Sequence, residues 1–339
     1  MPETVFLAAN NGDLGGGEQM LLRTAAAVRD LDREAVVVAP ATPGDVVAAA
    51  RAEGLEAVAV PGEGRRGYLR GLRRWDRTRD GLLWCHGLVP ALATAGHRRR
   101  VVHLHQLPRS RAQWAALAVA RRGALTVLTP SHTLSRGIVG SRALPNWTDD
   151  PPAAPRPVRA DGLRVGFLGR LSTDKGLDVL ADAVLARPTA TLRVAGDDRW
   201  VAQADLEPVR RSLAALGERA TILGHVTPAD LFRSVDVAVF PSRVPESFGL
   251  VVAEAMAAGV PFVVSDAGAL PEVAGPDHPW VSPAGDVAAL AAIIEAIDQS
   301  GPGEISKITT AARLRWDTEY SPAAGRERVR RLLEEVGSR

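Results

Sequence analysis

The chain has 339 residues, 46% of them hydrophobic and 24% charged, and this length predicts two globular domains of roughly 150 residues each. The opening Met1 to Phe6 has no basic region followed by a long apolar run, and no apolar stretch approaches the roughly 20 residues of a membrane span, so we expect neither a signal peptide nor a spanning helix. Cys85 is the single cysteine, which excludes an internal disulfide and predicts a cytoplasmic protein.

In residues 1–150, short apolar runs of β type alternate with longer segments of helical period, which predicts βα units around a parallel sheet. The predicted strands are Thr4–Ala9, Ala35–Ala39, Ala57–Val60, Leu82–Cys85, Val101–His105 and Leu125–Leu128. The predicted helices are Glu18–Asp30, Pro43–Glu53, Tyr68–Arg79, Arg111–Arg121 and Ser131–Ile138.

A proline-rich linker at 151–160 separates this series from a second one at 161–315. The second set of predicted strands is Arg164–Leu168, Thr191–Ala195, Ala220–Leu223, Val237–Phe240 and Pro261–Ser265. The helices between and after them are Gly176–Ala186, Leu206–Leu216, Pro228–Ser234, Leu250–Ala257 and Val287–Asp298, followed in the C-terminal segment 316–339 by a charged helix, Ala324–Glu335. The pattern predicts an α/β protein of two doubly wound, Rossmann-like domains, with ligands at the carboxyl ends of the strands.

Two cations follow the first strand of the second series. Arg170 and Lys175 lie in one strand-to-helix loop, and Lys175 is one of only two lysines in the chain. A guanidinium fork and an ammonium point charge at a strand end suit a diphosphate.

Two carboxylates follow a later strand of the same series. Glu246 is placed in the loop, and Glu254 about one turn inside the next helix among apolar neighbours. The amides of Gly249, Leu250 and Val251 open that helix and are predicted to meet a phosphate, helped by the helix dipole. Two cations, two carboxylates and a helix start at one sheet edge together indicate a nucleotide-diphosphate-sugar pocket.

At these residues the sequence resembles the retaining glycosyltransferases of family 4, which have the GT-B fold of two Rossmann-like domains facing each other across a cleft. The resemblance rests on Gly169-Arg170-Leu171 through Lys175-Gly176, on the E-x7-E spacing of Glu246 and Glu254 with Phe248-Gly249-Leu250 between them, and on Pro271-Glu272-Val273. It implies that Arg170 and Lys175 bind the diphosphate, Glu246 the hydroxyls of the donor sugar, and Glu254 the ribose, with Phe248 in the donor site.

A glycine-rich segment follows the first strand of the chain. Its contiguous glycines do not have the G-x-G-x-x-G spacing of a nicotinamide site, and no acid ends the second strand. By the same resemblance, Gly16 and Gly17 approach the donor, and Glu18 belongs to a motif that closes over it.

Histidines stand at two strand ends of the first half. His103 and His105 are predicted on one strand face; His105 resembles the family histidine beside the donor sugar, and His86 is a candidate for the acceptor side. A zinc site from the three histidines is an alternative, but no cysteine or acid with metal-ligand spacing accompanies them. Because Arg170, Lys175 and a helix start can stabilise the leaving diphosphate, we predict no metal and no cofactor.

The segment Arg65–Arg79 holds seven arginines and one acid, with Tyr68, Leu72 and Trp75 at helical spacing. One interpretation is a regular helix with an arginine-rich solvent face. The other is peripheral contact with an anionic membrane, at its inner face, or with a phosphorylated lipid acceptor.

The sequence thus predicts a glycosyltransferase that moves a hexosyl-type sugar from a nucleoside diphosphate, UDP before GDP, to a hydroxyl of a secondary metabolite or of a lipid- or polysaccharide-linked acceptor. The alternatives are a non-catalytic partner that binds nucleotide sugar and a sugar-nucleotide epimerase on the same fold. A nucleic-acid partner is not expected, since the second half is acidic and no such motif is present. By resemblance, the last helix crosses back to the first domain.

Overall fold

The computed structural model describes residues 3–151, 162–199 and 201–338. The chain divides into two compact units: unit 1 is Met1–Trp147 with Pro322–Arg339, and unit 2 is Thr148–Ser321. The predicted linker at 151–160 lies outside the described residues except for Pro151.

Within residues 3–147 and 322–338, which the structure describes, unit 1 has seven strands and seven α-helices. Strands β1 to β7 are Val5–Ala8, Ala35–Pro40, Glu56–Val60, Leu82–His86, Arg100–His103, Ala124–Thr129 and Arg142–Ala143. Helices α1 to α6 are Gly16–Arg29, Asp45–Ala52, Gly64–Trp75, Leu88–Ala93, Arg111–Ala120 and His132–Arg136, and the seventh, α14, is Pro322–Gly337.

The described part of unit 2, residues 148–151, 162–199 and 201–321, contains six strands and seven α-helices. Strands β8 to β13 are Arg164–Leu168, Thr191–Ala195, Ala220–Gly224, Val237–Phe240, Phe262–Ser265 and Val281–Ser282. Helices α7 to α13 are Leu177–Leu185, Gln203–Leu216, Pro228–Ser234, Leu250–Ala257, Leu270–Ala274, Val287–Gln299 and Pro302–Glu319.

Both sheets are parallel and follow one topology. The strand order is β3-β2-β1-β4-β5-β6-β7 in unit 1 and β10-β9-β8-β11-β12-β13 in unit 2. In each unit the order reverses between the first and fourth strands, β1 and β4 or β8 and β11, and a crevice for ligands opens at the carboxyl ends of such a pair. The predicted fold class, two Rossmann-like parallel-sheet domains, is confirmed.

The central strands form the sheets because they are apolar on both faces. Strands β2, β4, β11 and β12 are buried along their whole length, as expected of parallel strands covered by helices on either side. Where β8 pairs with β11, Ala238 is aligned with Gly166, and a side chain at Gly166 would come within 2.9 Å of Val235. The close packing fixes the strand ends that carry the candidate site.

The predicted charged helix at 324–335 is confirmed as α14, whereas the 18-residue helix α13, Pro302–Glu319, was not predicted. Trp316 lies in the last turn of α13 and is buried within unit 2. Its Nε1 donates to Oγ1 of Thr148 at 2.7 Å. The helix that belongs to unit 1 begins at Pro322 and packs against α1. The short elements α4, β7, α11 and β13 were not predicted, because two to six residues carry too little periodicity to identify an element.

Across the part of the chain that the structure describes, every helix is too short or too polar to span a bilayer.

Candidate functional site

The candidate site of unit 2 lies where β8 and β11 end, at the reversal of strand order. Lys175 comes from the loop after β8 and Glu246 from the loop after β11, and Lys175 Nζ lies 2.5 Å from Glu246 Oε1. Ser242 Oγ donates to the same carboxylate oxygen at 2.6 Å. The ion pair is half-buried, so the two charges are partly shielded from water.

The backbone around Glu246 is held by the loop after β12. The Ala269 amide donates to the Glu246 carbonyl at 2.9 Å, and Glu246 forms a parallel bridge with Gly268. Gly268 has φ of +65°, and a Cβ there would lie 2.5 Å from both the nitrogen and the oxygen of Glu246. Only glycine permits this approach, which fixes the position of the carboxylate.

Helix α10 begins beside this pair. Its N-cap, Gly249, has φ of +104°, and a Cβ there would lie 2.6 Å from a Leu270 methyl carbon. The amides of Leu250 and Val251 stand in the first turn, where a helix has no internal acceptor for its N–H groups. Such a turn is suited to an anion. Glu254 lies one turn further along and is half-buried.

Of two other residues predicted to bind the donor, Arg170 is exposed and Phe248 is buried. Arg170 is exposed, and no side-chain partner for it is found within residues 3–151, 162–199 and 201–338. Phe248 is buried and meets the Tyr320 ring edge to face at 5.4 Å. The structure therefore brings Lys175 and Glu246 together, leaves the Arg170 guanidinium exposed, and makes the Phe248 ring part of the core.

In unit 1, the predicted glycine-rich segment begins helix α1. Gly16 is its first residue, and a Cβ at Gly17 would lie 3.2 Å from Cδ2 of His105. Glu18 is buried and accepts from the Asn11 amide at 3.3 Å, and burial raises the pKa of its carboxyl group. The helix start thus comes close to the predicted histidine, and a carboxyl group with a raised pKa lies in the same first turn.

Three histidine side chains form one cluster, His86, His103 and His105, which we call the histidine cluster. His86 ends β4, and its register partner His103 ends β5. His105 lies two residues beyond, because β5 stops earlier than the predicted Val101–His105. His86 Nδ1 and His105 Nε2 are 3.1 Å apart, and the ring centroids are separated by 4.4 to 5.2 Å.

Burial keeps these imidazoles neutral. It lowers the pKa of His86 and His103 well below the ordinary value, and the neighbouring rings lower it further. Burial also lowers the pKa of His105 to about 4. Neutral imidazole nitrogens are the form that binds a metal or accepts a hydrogen bond.

A cavity of about 450 Å³ opens next to the histidine cluster, within unit 1. It is lined by apolar side chains of three helices with a few polar groups among them. They include Arg65, Leu69, Leu88, Leu92, Ala112, Ala116, Asn10, Glu18, His105, Gln106 and Gln113. This composition is typical of a site for an organic ligand with some hydroxyl groups.

Helix α3 carries the predicted arginine-rich segment. Tyr68 and Leu72 are buried, while Arg66, Arg70 and Arg73 are exposed. The arrangement is that of a regular domain helix with a basic solvent face, which agrees with both interpretations of Arg65–Arg79.

Ser242 was not among the predicted site residues. Its position could have indicated a role, because it is a small polar residue that comes directly after the buried strand β11 and Pro241. A polar residue at that edge of a parallel sheet is expected near the ligand.

Residues 162–299, which lie in unit 2, match the family described as "Glycosyl transferases group 1". Among curated relatives, the chain is 32% identical to the lipopolysaccharide core biosynthesis mannosyltransferase of Rhizobium meliloti over 169 residues, which are 47% of each protein. It is 38% identical to the phosphatidyl-myo-inositol mannosyltransferase of Mycobacterium leprae over 143 residues, which are 40% of this chain and 37% of that protein. In each comparison the chain spans less than half the length of the relative.

Solved structures resemble the chain along nearly its whole length. The Anabaena protein HepE, solved with UDP and glucose, has a TM-score of 0.86 and 20% identity, over 98% of this chain and all of that one. Sucrose-phosphate synthase from Thermosynechococcus elongatus has a TM-score of 0.81 and 18% identity, over 99% of this chain and all of that one. These likenesses show the fold, which is the predicted GT-B class.

Proposed function

We propose that the chain is a retaining glycosyltransferase of the family 4 type that moves a hexosyl-type sugar from a nucleoside diphosphate to an acceptor hydroxyl. The observation that carries the proposal is the Lys175–Glu246 pair beside the first turn of α10, inside the segment that matches glycosyl transferases group 1.

The arrangement suits a leaving diphosphate. Negative charge grows on that group as the sugar acquires oxocarbenium character, so cations fixed near it lower the barrier. In our proposal Lys175, Arg170 and the amides of Leu250 and Val251 meet this charge. A metal ion is then not needed, and no cofactor takes part.

Glu246 has a second role in this scheme. Lys175 and Ser242 both reach its Oε1. When Lys175 turns toward a diphosphate, Ser242 still holds the carboxylate in place, and its free lone pairs accept hydroxyls of the donor sugar. Glu254, one turn inside α10, would bind the ribose.

UDP is the nucleotide we propose first. The choice is supported by HepE, which was solved with UDP and with UDP-glucose, although its identity to this chain is 20%. The proposed roles of Gly16, Gly17, Glu18, His86 and His105 on the donor and acceptor side rest on the family resemblance.

The acceptor is proposed to bind in the cavity of unit 1. Its apolar lining with Arg65, Asn10 and Gln113 suits a molecule that is partly apolar and carries hydroxyl groups. Two of the relatives are named for lipopolysaccharide and phosphatidyl-inositol substrates, which favours a lipid- or polysaccharide-linked acceptor over a small secondary metabolite. The exposed arginines of α3 would then hold the cytoplasmic protein at an anionic membrane surface.

Thermal unfolding with nucleotides tests the donor site. UDP, GDP, ADP and TDP are compared, each with and without EDTA. A ligand at 100 times its dissociation constant adds about 2.7 kcal/mol to the free energy of unfolding. We expect the largest shift with UDP, unchanged by EDTA; the absence of a shift with all four would contradict the donor site.

A transfer assay separates the enzyme from its alternatives. With UDP-sugar and a sugar-lipid acceptor, the product's anomeric configuration, read by NMR, should match that of the donor. Inversion would contradict retention. Nucleotide binding without transfer or hydrolysis would favour the non-catalytic partner, and a changed sugar on intact UDP would favour the epimerase.

A further inference from the structure

Among the described residues, most ring nitrogens of the histidine cluster have no hydrogen-bond partner. Three imidazoles have six ring nitrogens, and the short contact between His86 and His105 accounts for two of them. The other four are buried and have no hydrogen-bond partner among the described residues: His86 Nε2, both nitrogens of His103, and His105 Nδ1. Buried polar atoms are ordinarily paired, so this cluster is unusual, and an ion held by one nitrogen of each ring would engage a His103 nitrogen together with the facing nitrogens of His86 and His105.

We propose that the histidine cluster binds one divalent transition-metal ion of borderline softness, of which Zn²⁺ is the probe, through one nitrogen of each ring. Imidazole suits zinc, copper and nickel, whereas Mg²⁺ and Ca²⁺ prefer oxygen. Since the site is made of three histidines with no carboxylate in the set, it should discriminate against Mg²⁺.

The spacing of the rings fits such an ion. One ligand atom from each histidine can be chosen so that all three lie within 4.8 Å of one another. With Zn–N bonds of about 2.0 to 2.1 Å, two nitrogens in a tetrahedral site are about 3.3 Å apart. The His86 Nδ1 and His105 Nε2 atoms, at 3.1 Å, are already close to this separation, and a His103 nitrogen lies within 4.8 Å of a nitrogen of each of the other two rings.

An ion can reach the site from the cavity of unit 1. His86 and His103 are buried, but His105 is partly exposed and lines the cavity. Three protein ligands leave a fourth position, which would face the cavity and take solvent.

Occupancy should be reversible. In tightly held sites each ligating histidine also hydrogen-bonds a carbonyl or carboxylate through its other nitrogen, and loss of such partners weakens affinity about 10- to 100-fold. In the described part of the chain these outer nitrogens have no such partner. We therefore expect a site that fills at elevated Zn²⁺ and empties when the ion is removed by a chelator.

Metal binding would act on the reaction through His105. This consequence rests on the proposed function, in which His105 contacts the donor sugar. A nitrogen bound to Zn²⁺ can neither donate to nor accept from a sugar hydroxyl, so Zn²⁺ should inhibit an enzyme that turns over without metal.

Direct binding tests the site. Protein stripped with EDTA and dialysed is titrated with Zn²⁺ against a chromophoric chelator, and with Co²⁺ while visible absorption is recorded. We expect one ion per chain and Co²⁺ bands of tetrahedral intensity, with no displacement by Mg²⁺. His103→Gln and His105→Gln should each weaken Zn²⁺ binding at least 10-fold, whereas His132→Gln, at an exposed histidine of unit 1, should leave it unchanged.

Zn²⁺ affinity unchanged in both cluster variants, or lost equally in His132→Gln, would overturn the proposal. His103 is fully buried, so circular dichroism must show that its variant folds; His105→Gln, at the cavity edge, gives the same test if it does not.

Activity supplies an independent second readout. Zn²⁺ should inhibit the wild-type enzyme and not His103→Gln, whose basal turnover we expect to be kept. If the chain binds Zn²⁺ but transfers no sugar, the proposed function is contradicted and the metal site is not. If the chain transfers sugar, binds no Zn²⁺ and is not inhibited by it, the metal site is contradicted and the proposed function is not.

Discussion

The two units share one sheet topology but equip the same edge of the sheet with different chemistry. In unit 2, the strands at the reversal of order end in opposite charges, and Lys175 and Glu246 pair with each other and with Ser242. In unit 1, the corresponding edge carries neutral histidines, most of whose nitrogens have no partner in the described residues, beside a largely apolar cavity. The same fold thus carries an ion pair at the sheet edge of unit 2 and buried neutral histidines at the sheet edge of unit 1. Mutations that remove charge should affect the first site, and changes of pH or metal concentration the second.

The largest effect should come from removing the charge in unit 2. Lys175→Ala takes away the ammonium group proposed to meet the leaving diphosphate, and losing one such group costs about 10²- to 10³-fold in kcat. The matched control is Lys307→Ala, which removes the only other lysine of the chain, an exposed residue of α13 in the same unit. Steady-state transfer rates should fall only for Lys175→Ala. Equal rates in the two variants would contradict the proposed role of Lys175 at the leaving diphosphate.

The backbone support of Glu246 gives the next effect. Gly268 and Gly259 both have left-handed backbone, with φ of +65° and +62°, but a Cβ at Gly259 meets nothing within 4 Å. Gly259→Ala should cost only the strain of the left-handed conformation, about 1 kcal/mol. Gly268→Ala must in addition displace Glu246, and we expect a total of about 3 kcal/mol or more.

Urea unfolding of unit 2 and transfer rates should both separate these two variants. Equal losses would mean that the loop after β12 gives way easily and does not fix the carboxylate.

A half-buried histidine in unit 2, His278, provides a contrast to the histidine cluster. His278 donates from Nε2 to the Phe262 carbonyl at 2.9 Å and stacks on the Phe262 ring at 4.2 Å. Burial lowers its pKa to about 4, and the hydrogen bond opposes that shift. Because the unfolded chain binds a proton near pH 6.5 and the folded chain does not, stability is lost as the pH falls from about 6.5 toward 4.

The expected loss from this group between pH 7 and pH 5 is about 2 kcal/mol. His278→Gln should reduce the pH dependence of the free energy of unfolding by that amount, as measured by urea denaturation at the two pH values. A variant with the wild-type pH dependence would show that His278 titrates in the folded protein as it does in the unfolded one.

The smallest effect concerns the basic face of unit 1. If α3 contacts an anionic membrane, Arg70→Ala should weaken binding to phosphatidylserine vesicles by about 1 kcal/mol, or roughly fivefold in partition coefficient. Arg211→Ala, at an exposed position of α8 in unit 2, is the matched control. Sedimentation with vesicles at low and high salt measures both, and equal behaviour would leave α3 as an ordinary solvated helix.

The sequence predicted unit 2 better than unit 1 for a physical reason. Charged residues such as Lys175 and Glu246 are conspicuous directly after buried strands, and their position at one edge follows from parallel topology alone. The strand bounds of unit 2 also agree closely, with Arg164–Leu168 and Val237–Phe240 as predicted.

Other features depend on side-chain packing, which periodicity does not reveal. Side-chain rotamers and strand register determine that Lys175 pairs with Glu246 and that the Phe248 ring packs in the core. They also determine that four buried histidine nitrogens have no hydrogen-bond partner among the described residues. The extent of β5 is one such case, since ending at His103 instead of His105 changes which rings meet.

The assignment of α14 to unit 1 has a consequence for how the protein is made. The ribosome completes the first 147 residues of this unit before it starts unit 2, yet Val329, Leu332, Leu333 and Val336 are buried residues of unit 1. Gly325 also packs closely on the ring of Trp147, where a Cβ would lie 2.2 Å from the indole.

Unit 2 is continuous in the chain and is complete once Ser321 has been made, whereas unit 1 has to wait for its last helix. At about 5 to 20 residues per second, the surface that α14 covers stays open for about 10 to 40 seconds of synthesis. The unit whose synthesis begins first is therefore the one whose synthesis is completed last.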